Sequence, residues 1–466
     1  MPHKPIMRIP LLSGVVADSS AEYLTALPVN LEVVATDNRI AAAQFRAPAG
    51  AVPHLIGPGT DRGGFDYGGR HIRVMGTRLV EVSTGIRDLG EVGGTGPVTF
   101  AEGFGRLAIR SSTSLFYLID TTLTQVTDPD LGPVQDIIWV DGYFMTTDGT
   151  SIVVTELNDP TRVEPLKYGS AEEDPDMVTG LMKVANEAHA VGRYTIQVFG
   201  NVGGNGFPFS RIKGATIPQG CVGPHAKCFY ADSFAFVGGG RGEAIGVYVA
   251  GQGSATRISP RVIDDELAKV ADPAQIVLES RTYRAERRLL VHLPDRTLVF
   301  LANVSKTLEQ PAWYVAQSGR GDSYRLRNAT LIGSRWFVGD TESNSLGILD
   351  EGVSTHFGEK AEWQFTAGLL YNEARGAIIN TLELIGLPGR APAGEEPIAF
   401  LSMTRDGQTW SEERPCSLGK RGQREARMQW RPRARFANQL ALRFRGYNDA
   451  MPGFAALEAA ITPLAV

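Results

Sequence analysis

Short apolar segments separated by turn residues recur along most of the chain. The clearest example spans residues 135–157, where three apolar segments alternate with two Asp-Gly pairs, Asp141-Gly142 and Asp148-Gly149. Asp-Gly between apolar segments is a strong hairpin signal, because both turn residues must adopt positive φ and Gly does so freely. The pattern therefore predicts a three-stranded antiparallel meander here.

Similar meanders are predicted at regular intervals along the chain. They open near Arg70, Val98, Ile137, Val178, Phe229, Tyr283 and Ala329. Most of the intervals are close to the roughly 40–50 residues that one four-stranded propeller blade occupies. The spacing predicts an all-β fold containing a β-propeller of about six to seven blades, although two packed β-sandwiches would produce much the same pattern.

The pattern changes near Gly358, where longer alternating segments and a loop rich in Gly, Pro and Ala at residues 386–397 begin. We expect an N-terminal arm with the first strands in residues 1–45, the propeller in 46–357, and a C-terminal β-sandwich-like domain in 358–466. Helix is expected only at residues 264–270, where the acidic first turn suits a helix N-terminus.

Composition and charge narrow the function class. The chain contains 53 Gly and 27 Pro residues, as expected of a fold with many tight turns. Its formal net charge of −5 argues against a generally basic nucleic-acid coat. Since no apolar run reaches 18 residues, we expect no membrane anchor. The first residues make a poor signal peptide, because Pro10 and Ser13 interrupt their apolar stretch, so we expect synthesis in the cytoplasm.

Candidate catalytic and ligand-binding motifs are weak. Cys221, His225 and Cys228 lack the second cysteine pair of a zinc site, so we expect ordinary thiols and no metal. Residues 238–242 are glycine-rich but precede a strand, and a phosphate loop would precede a helix; a hairpin tip is favoured. No catalytic frame is recognisable, so we expect no cofactor and no enzyme.

Residues 402–410 resemble the Asp box of propeller glycosidases, with Asp406, Gly407 and Trp410 in the corresponding order. The segment lacks the residue that separates Asp from Gly in that motif, and the Asp box itself builds a turn and does no chemistry. We therefore expect a plain Asp-Gly hairpin with Trp410 packed beneath it.

A basic segment distinguishes the C-terminal region, since residues 401–445 hold eleven Lys or Arg and four Asp or Glu. Alternation would place Arg431, Arg433 and Arg435 on one face of a strand, with Arg427 just before them. Three interpretations stay open: a solvated strand face, a contact with an acidic protein surface, and a contact with phosphate. The second predicts an assembly-contact face.

Several ordered stretches resemble the packaged-DNA stabilisation family of short-tailed bacteriophages, also called the tail hub or nozzle family. They span residues 10 to about 445 and are, in order, residues 10–15 with Tyr23 and 27–30, residues 141–144 with 147–150 and 157–161, residues 208–215 with 220–221, and Asp406-Gly407 with 409–411, 417–420, Arg427 and Trp430. The sequence departs from the family pattern at residues 431–435 and at a glycine-rich insert, residues 201–206.

The resemblance implies a structural virion protein of the short tail. It implies six copies in a ring below the portal and its adaptor, which continue the DNA channel and hold a tail needle or plug. It further implies side surfaces for tailspikes or fibres, retention of packaged DNA until ejection, and a strand rather than a helix at residues 454–461. DNA would pass without sequence-specific binding, so we expect acidic loops such as residues 128–132 and 170–176 to face the channel.

Two alternative functions remain at this stage. A propeller glycosidase or depolymerase would need a carboxylate pair across a cleft. A receptor-binding tail protein would bind host cells as an isolated protein.

Overall fold

The computed structural model describes residues 6–12, 14–17, 22–36, 40–157, 159–170, 176–204, 206–321, 323–373 and 375–464. Within them the chain folds into seven β-sheets arranged as propeller blades and two further sheets packed as a sandwich, besides one short hairpin. The predicted all-β propeller with a C-terminal sandwich is confirmed, and the blade count is seven.

Strands before the first complete blade serve three different sheets. In chain order they are β1 (Ile6–Ile9), β2 (Val15–Ala17), β3 (Tyr23–Thr25), β4 (Glu32–Ala35), β5 (Ala43–Arg46) and β6 (Gly50–Ile56). Strands β2 and β3 form a separate hairpin, whereas β1, β4 and β5 belong to the sandwich. Strand β6 is the outer strand of the seventh blade, where it pairs with a strand some 290 residues later.

Blades one to four are regular antiparallel meanders. Blade one contains β7 (Asp61–Tyr67), β8 (Arg70–Met75), β9 (Arg78–Val82) and β10 (Ile86–Glu91). Blade two contains β11 (Thr99–Gly103), β12 (Arg106–Ser111), β13 (Ser114–Ile119) and β14 (Thr122–Gln125). Blade three contains β15 (Asp136–Val140), β16 (Tyr143–Thr147), β17 (Ser151–Thr155) and β18 (Val163–Ser170). Blade four contains β19 (Val178–Val184), β20 (Glu187–Gly192), β21 (Ile196–Asn201) and β22 (Phe209–Arg211).

The last three blades are less regular. Blade five has a divided inner strand and contains β23 (Gly220–Cys221), β24 (Lys227–Tyr230), β25 (Ser233–Gly239), β26 (Gly246–Ala250) and β27 (Ala255–Arg257). Blade six contains β28 (Val277–Tyr283), β29 (Glu286–His292), β30 (Thr297–Leu301) and β31 (Trp313–Ala316). Blade seven contains β32 (Leu326–Ile332), β33 (Arg335–Asp340) and β34 (Ser345–Asp350), and β6 completes it.

Helix occurs at three places in the described residues. Helix α1 (Arg261–Ala268) confirms the predicted helix with an earlier start, and α2 (Ala302–Leu308) and a 3-10 turn (Pro273–Gln275) were not predicted. Helix α2 follows β30 directly and packs against β4 and β29. None of the helices among the described residues has the length and apolar character needed to cross a bilayer.

The sandwich contains the remaining strands. They are β35 (Glu362–Thr366), β36 (Leu370–Tyr371), β37 (Ala377–Gly386), β38 (Ile398–Thr404), β39 (Arg414–Ser417), β40 (Met428–Trp430), β41 (Ala434–Phe436), β42 (Gln439–Tyr447) and β43 (Gly453–Pro463). One sheet has the order β4-β5-β43-β37-β40, with β1 added to β43 and β41 to β37, and the other has the order β35-β42-β38-β39 with β36 added to β42. The strand expected at residues 454–461 is confirmed. The predicted boundaries 1–45, 46–357 and 358–466 stay a prediction.

Apolar side chains between neighbouring blades form the propeller core. The middle strands are almost wholly buried, since sheets cover both of their faces, and their sequences are correspondingly rich in apolar residues, as in β16. The junction of blades one and seven has the smallest cluster, with four buried residues: Met75, Val80, Val82 and Leu346. The sandwich shares a single larger core with blades six and seven.

Candidate assembly surfaces

The paired Asp-Gly turns of the predicted meander lie on blade three as expected. Asp141 and Gly142 have φ of 51° and 90°, which is the double positive φ of a tight hairpin turn between β15 and β16. Asp148 accepts hydrogen bonds from the backbone N–H groups of Thr150 (2.8 Å) and Ser151 (2.6 Å), and Gly149 has φ of 100°. These residues shape turns, and none of them approaches another candidate site residue.

The Asp406 turn is a hairpin at the end of β38, as predicted. The carboxylate of Asp406 accepts hydrogen bonds from the backbone N–H groups of Gln408 (3.0 Å) and Thr409 (2.8 Å) and from the Thr404 hydroxyl (2.9 Å). Gly407 has φ of 77°, and a Cβ there would lie 1.7 Å from the backbone oxygen of Ala17 in β2. Any other residue at 407 would therefore push the β2–β3 hairpin away from the sandwich.

Trp410 is half-buried in the same hairpin. The guanidinium carbon of Arg443 lies 4.0 Å from the centre of its ring, a close cation–π contact. Arg443 is held from its other side by the hydroxyl of Ser402, which accepts a hydrogen bond from Nε at 3.1 Å. Trp410 thus packs on the strand behind the turn, in agreement with a structural role.

The stability of the Asp406 turn is expected to depend on pH. Hydrogen bonds from Thr409, Thr404 and Gln408 lower the pKa of Asp406 to about 2. Because the folded pKa lies below the unfolded value, the stabilisation is present above the unfolded pKa and is lost as pH falls from about 4 to about 2. We expect carboxyl NMR of the Asp406 resonance to show a midpoint near pH 2. Asp406→Asn, which keeps one acceptor oxygen, should preserve the turn at pH 7, whereas Asp406→Ala should speed amide exchange at residues 407–409. Unchanged amide exchange in Asp406→Ala would contradict the prediction.

The basic segment 427–435 does not form the continuous strand that its alternation predicts, and that prediction is wrong. Strand β40 ends at Trp430 and β41 begins at Ala434, because Pro432 has no N–H to donate and Arg433 has a left-handed φ of 47°. Arg431, Arg433 and Arg435 are nevertheless all exposed, and they lie beside one edge of β37.

Several arginines of the region already have carboxylate partners. Arg427 donates to Glu383 through Nε at 2.8 Å, so it is engaged within the sandwich. Arg445 contacts both Glu413 (2.7 Å) and Glu362 (2.8 Å). The spacing of the arginines could not reveal these partners, because the acidic residues come from other strands of the two sheets. Whether the exposed arginines form an assembly contact stays a prediction.

A cavity of about 650 Å³ follows the propeller axis and is lined by the innermost strands of all seven blades. Lys227 of blade five and Asp136 of blade three form an ion pair there, with 2.8 Å between Nζ and Oδ2. Asp136 also accepts a hydrogen bond from the backbone N–H of Leu181 in blade four (2.8 Å). Burial opposes ionisation of this carboxyl, yet Lys227 and the Leu181 N–H outweigh it and hold the pKa of Asp136 below its usual range.

Further polar contacts join neighbouring blades around the axis. Arg62 of blade one donates to the hydroxyl of Ser111 in blade two at 2.8 Å. Glu279 of blade six accepts backbone hydrogen bonds from Asn328 (2.6 Å) and Ala329 (3.3 Å) of blade seven. Since each contact crosses from one sheet to another, the inner ends of the blades are fixed relative to each other.

The cysteine and histidine cluster has the geometry of ordinary core residues. The Cys221 thiol donates to the backbone oxygens of Gly223 and Ala226, each at 3.2 Å, and burial lowers the pKa of His225 to about 4. Among the described residues no group of three or more His, Cys, Asp or Glu side chains is placed to hold a metal ion. Residues 238–242 form the end of β25 and the start of its turn into β26, in agreement with the predicted hairpin.

Of the loops proposed to face a DNA channel, residues 128–132 lie beside the outermost strand of blade three. Asp128 accepts the backbone N–H of Val163 (3.1 Å), the first residue of the outermost strand of blade three. Of residues 170–176, positions 171–175 lie outside the described residues, and Asp176 accepts backbone hydrogen bonds from residues 193–195. The position of these loops relative to the channel of a ring stays a prediction.

Comparisons with known proteins agree with this architecture. Residues 7–354 match the family model described as the β-propeller of bacteriophage P22 Gp10, and residues 362–462 match the model of the Gp10 β-sandwich. The tail hub protein gp10 of Salmonella phage P22 is 26% identical, over 95% of this chain and 96% of its own length.

Solved structures show lower similarity. The N-terminal domain of Nup159 has a TM-score of 0.37 at 10% identity and covers 70% of this chain and 99% of its own. A BBS1N–ARL6DN complex has a TM-score of 0.40 at 12% identity and covers 65% of this chain and 96% of its own. At these scores the structural matches support no further conclusion. The two family models together span both domains, and the chain belongs to the bacteriophage P22 Gp10 family.

Proposed function

We propose that this chain is a structural subunit of the tail hub of a short-tailed bacteriophage and has no enzymatic role. The observation that carries the proposal is the end-to-end alignment with a tail hub protein, 26% identical over 95% of this chain. Both domains of the family are present in the same order. A missing domain would have indicated a changed role.

The finer proposal is a ring of six copies below the portal and its adaptor ring, which continues the DNA channel and retains the genome until ejection. The ring would hold the tail needle or plug and offer side surfaces to tailspikes or fibres. Six identical subunits close a ring through heterologous contacts, which join two different surfaces of each copy. The cross-blade contacts of Asp136, Arg62 and Glu279 support this role, because a ring under internal pressure needs subunits that do not open locally.

An early stop codon in the gene for this chain tests the proposal. We expect heads that fill with DNA and then lose it, while portal and adaptor are present and the needle is absent. The measurement is the DNA retained per purified particle, compared with particles complemented by the intact gene. Full and stable particles that fail to bind host cells or to degrade envelope polysaccharide would instead support the receptor-binding or depolymerase function.

The axial cavity gives the depolymerase function little support. Of its three carboxylates, Asp136 and Glu279 are engaged by Lys227 and by backbone N–H groups of neighbouring blades, so Glu102 has no second free carboxylate to act with. A glycosidase would need one carboxylate free to act on substrate and a second to protonate the leaving group. Incubation of the protein with host envelope polysaccharide should therefore release no reducing ends.

The exposed arginines of the 427–435 segment are proposed to contact an acidic surface of a neighbouring tail protein. Replacing Arg433 and Arg435 by Glu should lower the number of hub copies per particle about tenfold, because like charges would then face each other across the contact. Quantitative gel analysis of purified particles measures this number. Replacing Lys213 and Arg335 by Glu is the control, since these two exposed residues lie on blades four and seven and the change in charge is the same. Normal copy number in the double variant would remove the proposed contact.

A further inference from the structure

A deep basic cleft lies where the propeller meets the sandwich. Its volume is about 800 Å³, and its walls come from the β28–β29 turn of blade six, the segment after β34 of blade seven, strand β5 and three loops of the sandwich. Five arginines line it, which are Arg46, Arg284, Arg390, Arg421 and Arg424, together with two carboxylates, Glu351 and Asp449. This local excess of positive charge contrasts with the net charge of −5 of the chain.

The arginines on the sandwich side of the cleft are available for a partner. Arg46 is paired with Glu32 and Arg284 with Glu351. The exposed guanidinium groups of Arg390, Arg421 and Arg424 have no carboxylate partner within the part of the chain that the structure describes. Apolar groups lie beside them, including Leu387, which is 50% exposed, and Met451. The cleft therefore suits an occupant that carries both carboxylates and an apolar side chain.

The outer edge of blade three has the complementary character. Strand β18 presents Leu166, which is 78% exposed, and Tyr168. Glu164 on the same strand and Asp130 in the loop beside it are exposed carboxylates, and the Tyr168 hydroxyl donates to the Asp130 backbone oxygen. Residues 119–170 contain nine Asp or Glu and only two Lys or Arg. Leu166 and Tyr168 lie two positions apart on the same face of β18, and an exposed apolar patch with a polar rim is typical of a contact surface.

These two surfaces lie on opposite sides of the subunit. In a ring of seven blades, the point opposite blade three is the boundary between blades six and seven. The cleft begins at that boundary, because Arg284 belongs to blade six and Glu351 follows the third strand of blade seven. A closed ring of identical subunits requires two different and mutually complementary surfaces on each copy.

We propose that the outer edge of blade three of one copy docks into the arginine cleft of the next copy. The inference rests on the ring proposed above and identifies the surfaces that form it. Glu164 and Asp130 would face Arg421 and Arg424, and Leu166 would lie against Leu387. The contact is made through side chains, because Pro165 removes an N–H donor from the β18 edge and its pairing with β17 is irregular, which disfavours strand addition.

A charge exchange tests the contact in phage particles. The cleft variant, Arg421→Glu with Arg424→Glu, and the edge variant, Asp130→Arg with Glu164→Arg, each place like charges together. Each should lower the hub copies per particle at least about tenfold, and their combination in one chain should return the number to within about twofold of the wild type. The variants are supplied in trans to the stop-codon phage, and copies are counted by quantitative mass spectrometry.

Two controls separate assembly from folding and from net charge. Lys213→Glu with Arg335→Glu changes the charge as the cleft variant does, but at exposed positions on blades four and seven, and should assemble normally. Co-expression of the cleft and edge variants should assemble although neither does alone, because each supplies the surface that its partner needs. Melting temperatures of the isolated chains verify folding.

Several outcomes would overturn the inference. Normal assembly of the cleft variant or of the edge variant would do so, and so would a combined variant that is as defective as its two components. A defect confined to the cleft variant would assign the cleft to another tail protein. Failure of the tail hub proposal has a different signature, because the stop-codon particles would then retain their DNA.

Discussion

Replacing Arg73 by Met should lower the free energy of unfolding of the chain by about 3–5 kcal/mol, because the change leaves a buried carboxylate without its partner. The side chains of Arg73 and Asp61 are both 0% exposed, and two hydrogen bonds of 2.7 Å join them. Arg73 also donates to the backbone oxygen of Asn328 (2.9 Å), whose side chain in turn donates to Asp61 (2.7 Å). The cluster therefore joins blade one to blade seven, where the ring closes.

The expected effect is large because this junction has little else to hold it. Its apolar cluster has four buried residues, whereas the other junctions bury many more. Urea unfolding followed by tryptophan fluorescence measures the loss. Arg70→Met is the matched control: its partner Glu81 is partly exposed, so we expect a loss of at most about 1 kcal/mol. Equal losses in the two variants would show that the buried pair has no special role in closing the propeller.

Replacing Glu32 by Gln should cost about 3 kcal/mol and should loosen the sandwich from the propeller, since two arginines would lose their shared carboxylate. Glu32 lies in β4 of the sandwich and is 2% exposed. One of its oxygens accepts from Arg46 (Nε at 3.0 Å) and the other from Arg288 in blade six (Nη2 at 2.7 Å). Arg288 is itself 3% exposed, so water cannot replace the lost charge.

The loosening has its own measurement. Limited proteolysis should cut the Glu32→Gln chain between the domains, near residue 358, faster than the wild type, while urea unfolding should separate into two transitions. Glu458→Gln is the control, because Glu458 pairs with the exposed Arg8 on the sandwich surface. A single transition and unchanged proteolysis would mean that the shared apolar core alone holds the domains together.

The parts of the fold that sequence predicts well are those specified locally. The meander of blade three follows from two Asp-Gly turns and the apolar segments between them, and seven predicted meanders correspond to seven blades. The closure of blade seven by β6 could not be predicted, because no local signal indicates a pairing between segments so far apart in the chain. For the same reason, the sequence did not predict that β4 and β5 belong to a sheet of the sandwich.

Local rules also failed where one residue changed the backbone. Alternation in Arg431, Arg433 and Arg435 predicted one strand, but Pro432 and the positive φ of Arg433 divide it. Likewise, the number of arginines suggested a basic surface, but which of them have a carboxylate partner depends on the tertiary structure. Arg427 and Arg445 pair with carboxylates that are distant in sequence, whereas Arg421 and Arg424 line a cleft. The assembly role proposed for Arg421 and Arg424 therefore follows from their position in the cleft and not from their spacing in the sequence.

The pairing of β1 with β43 has a consequence for biosynthesis. Ile6 lies opposite Ala460, and strand β6, which closes blade seven, pairs with residues 345–350. At about 5–20 residues per second a ribosome needs on the order of half a minute or more to make the intervening chain. During that time the early strands have unpaired edges, and neither the sandwich nor the closed propeller can form. The propeller can therefore close only after residues 345–350 have left the ribosome, and the sandwich only after residues near 460 have done so. This delay makes the nascent chain a strong candidate for chaperone dependence, and a product truncated before residue 345 could complete neither domain.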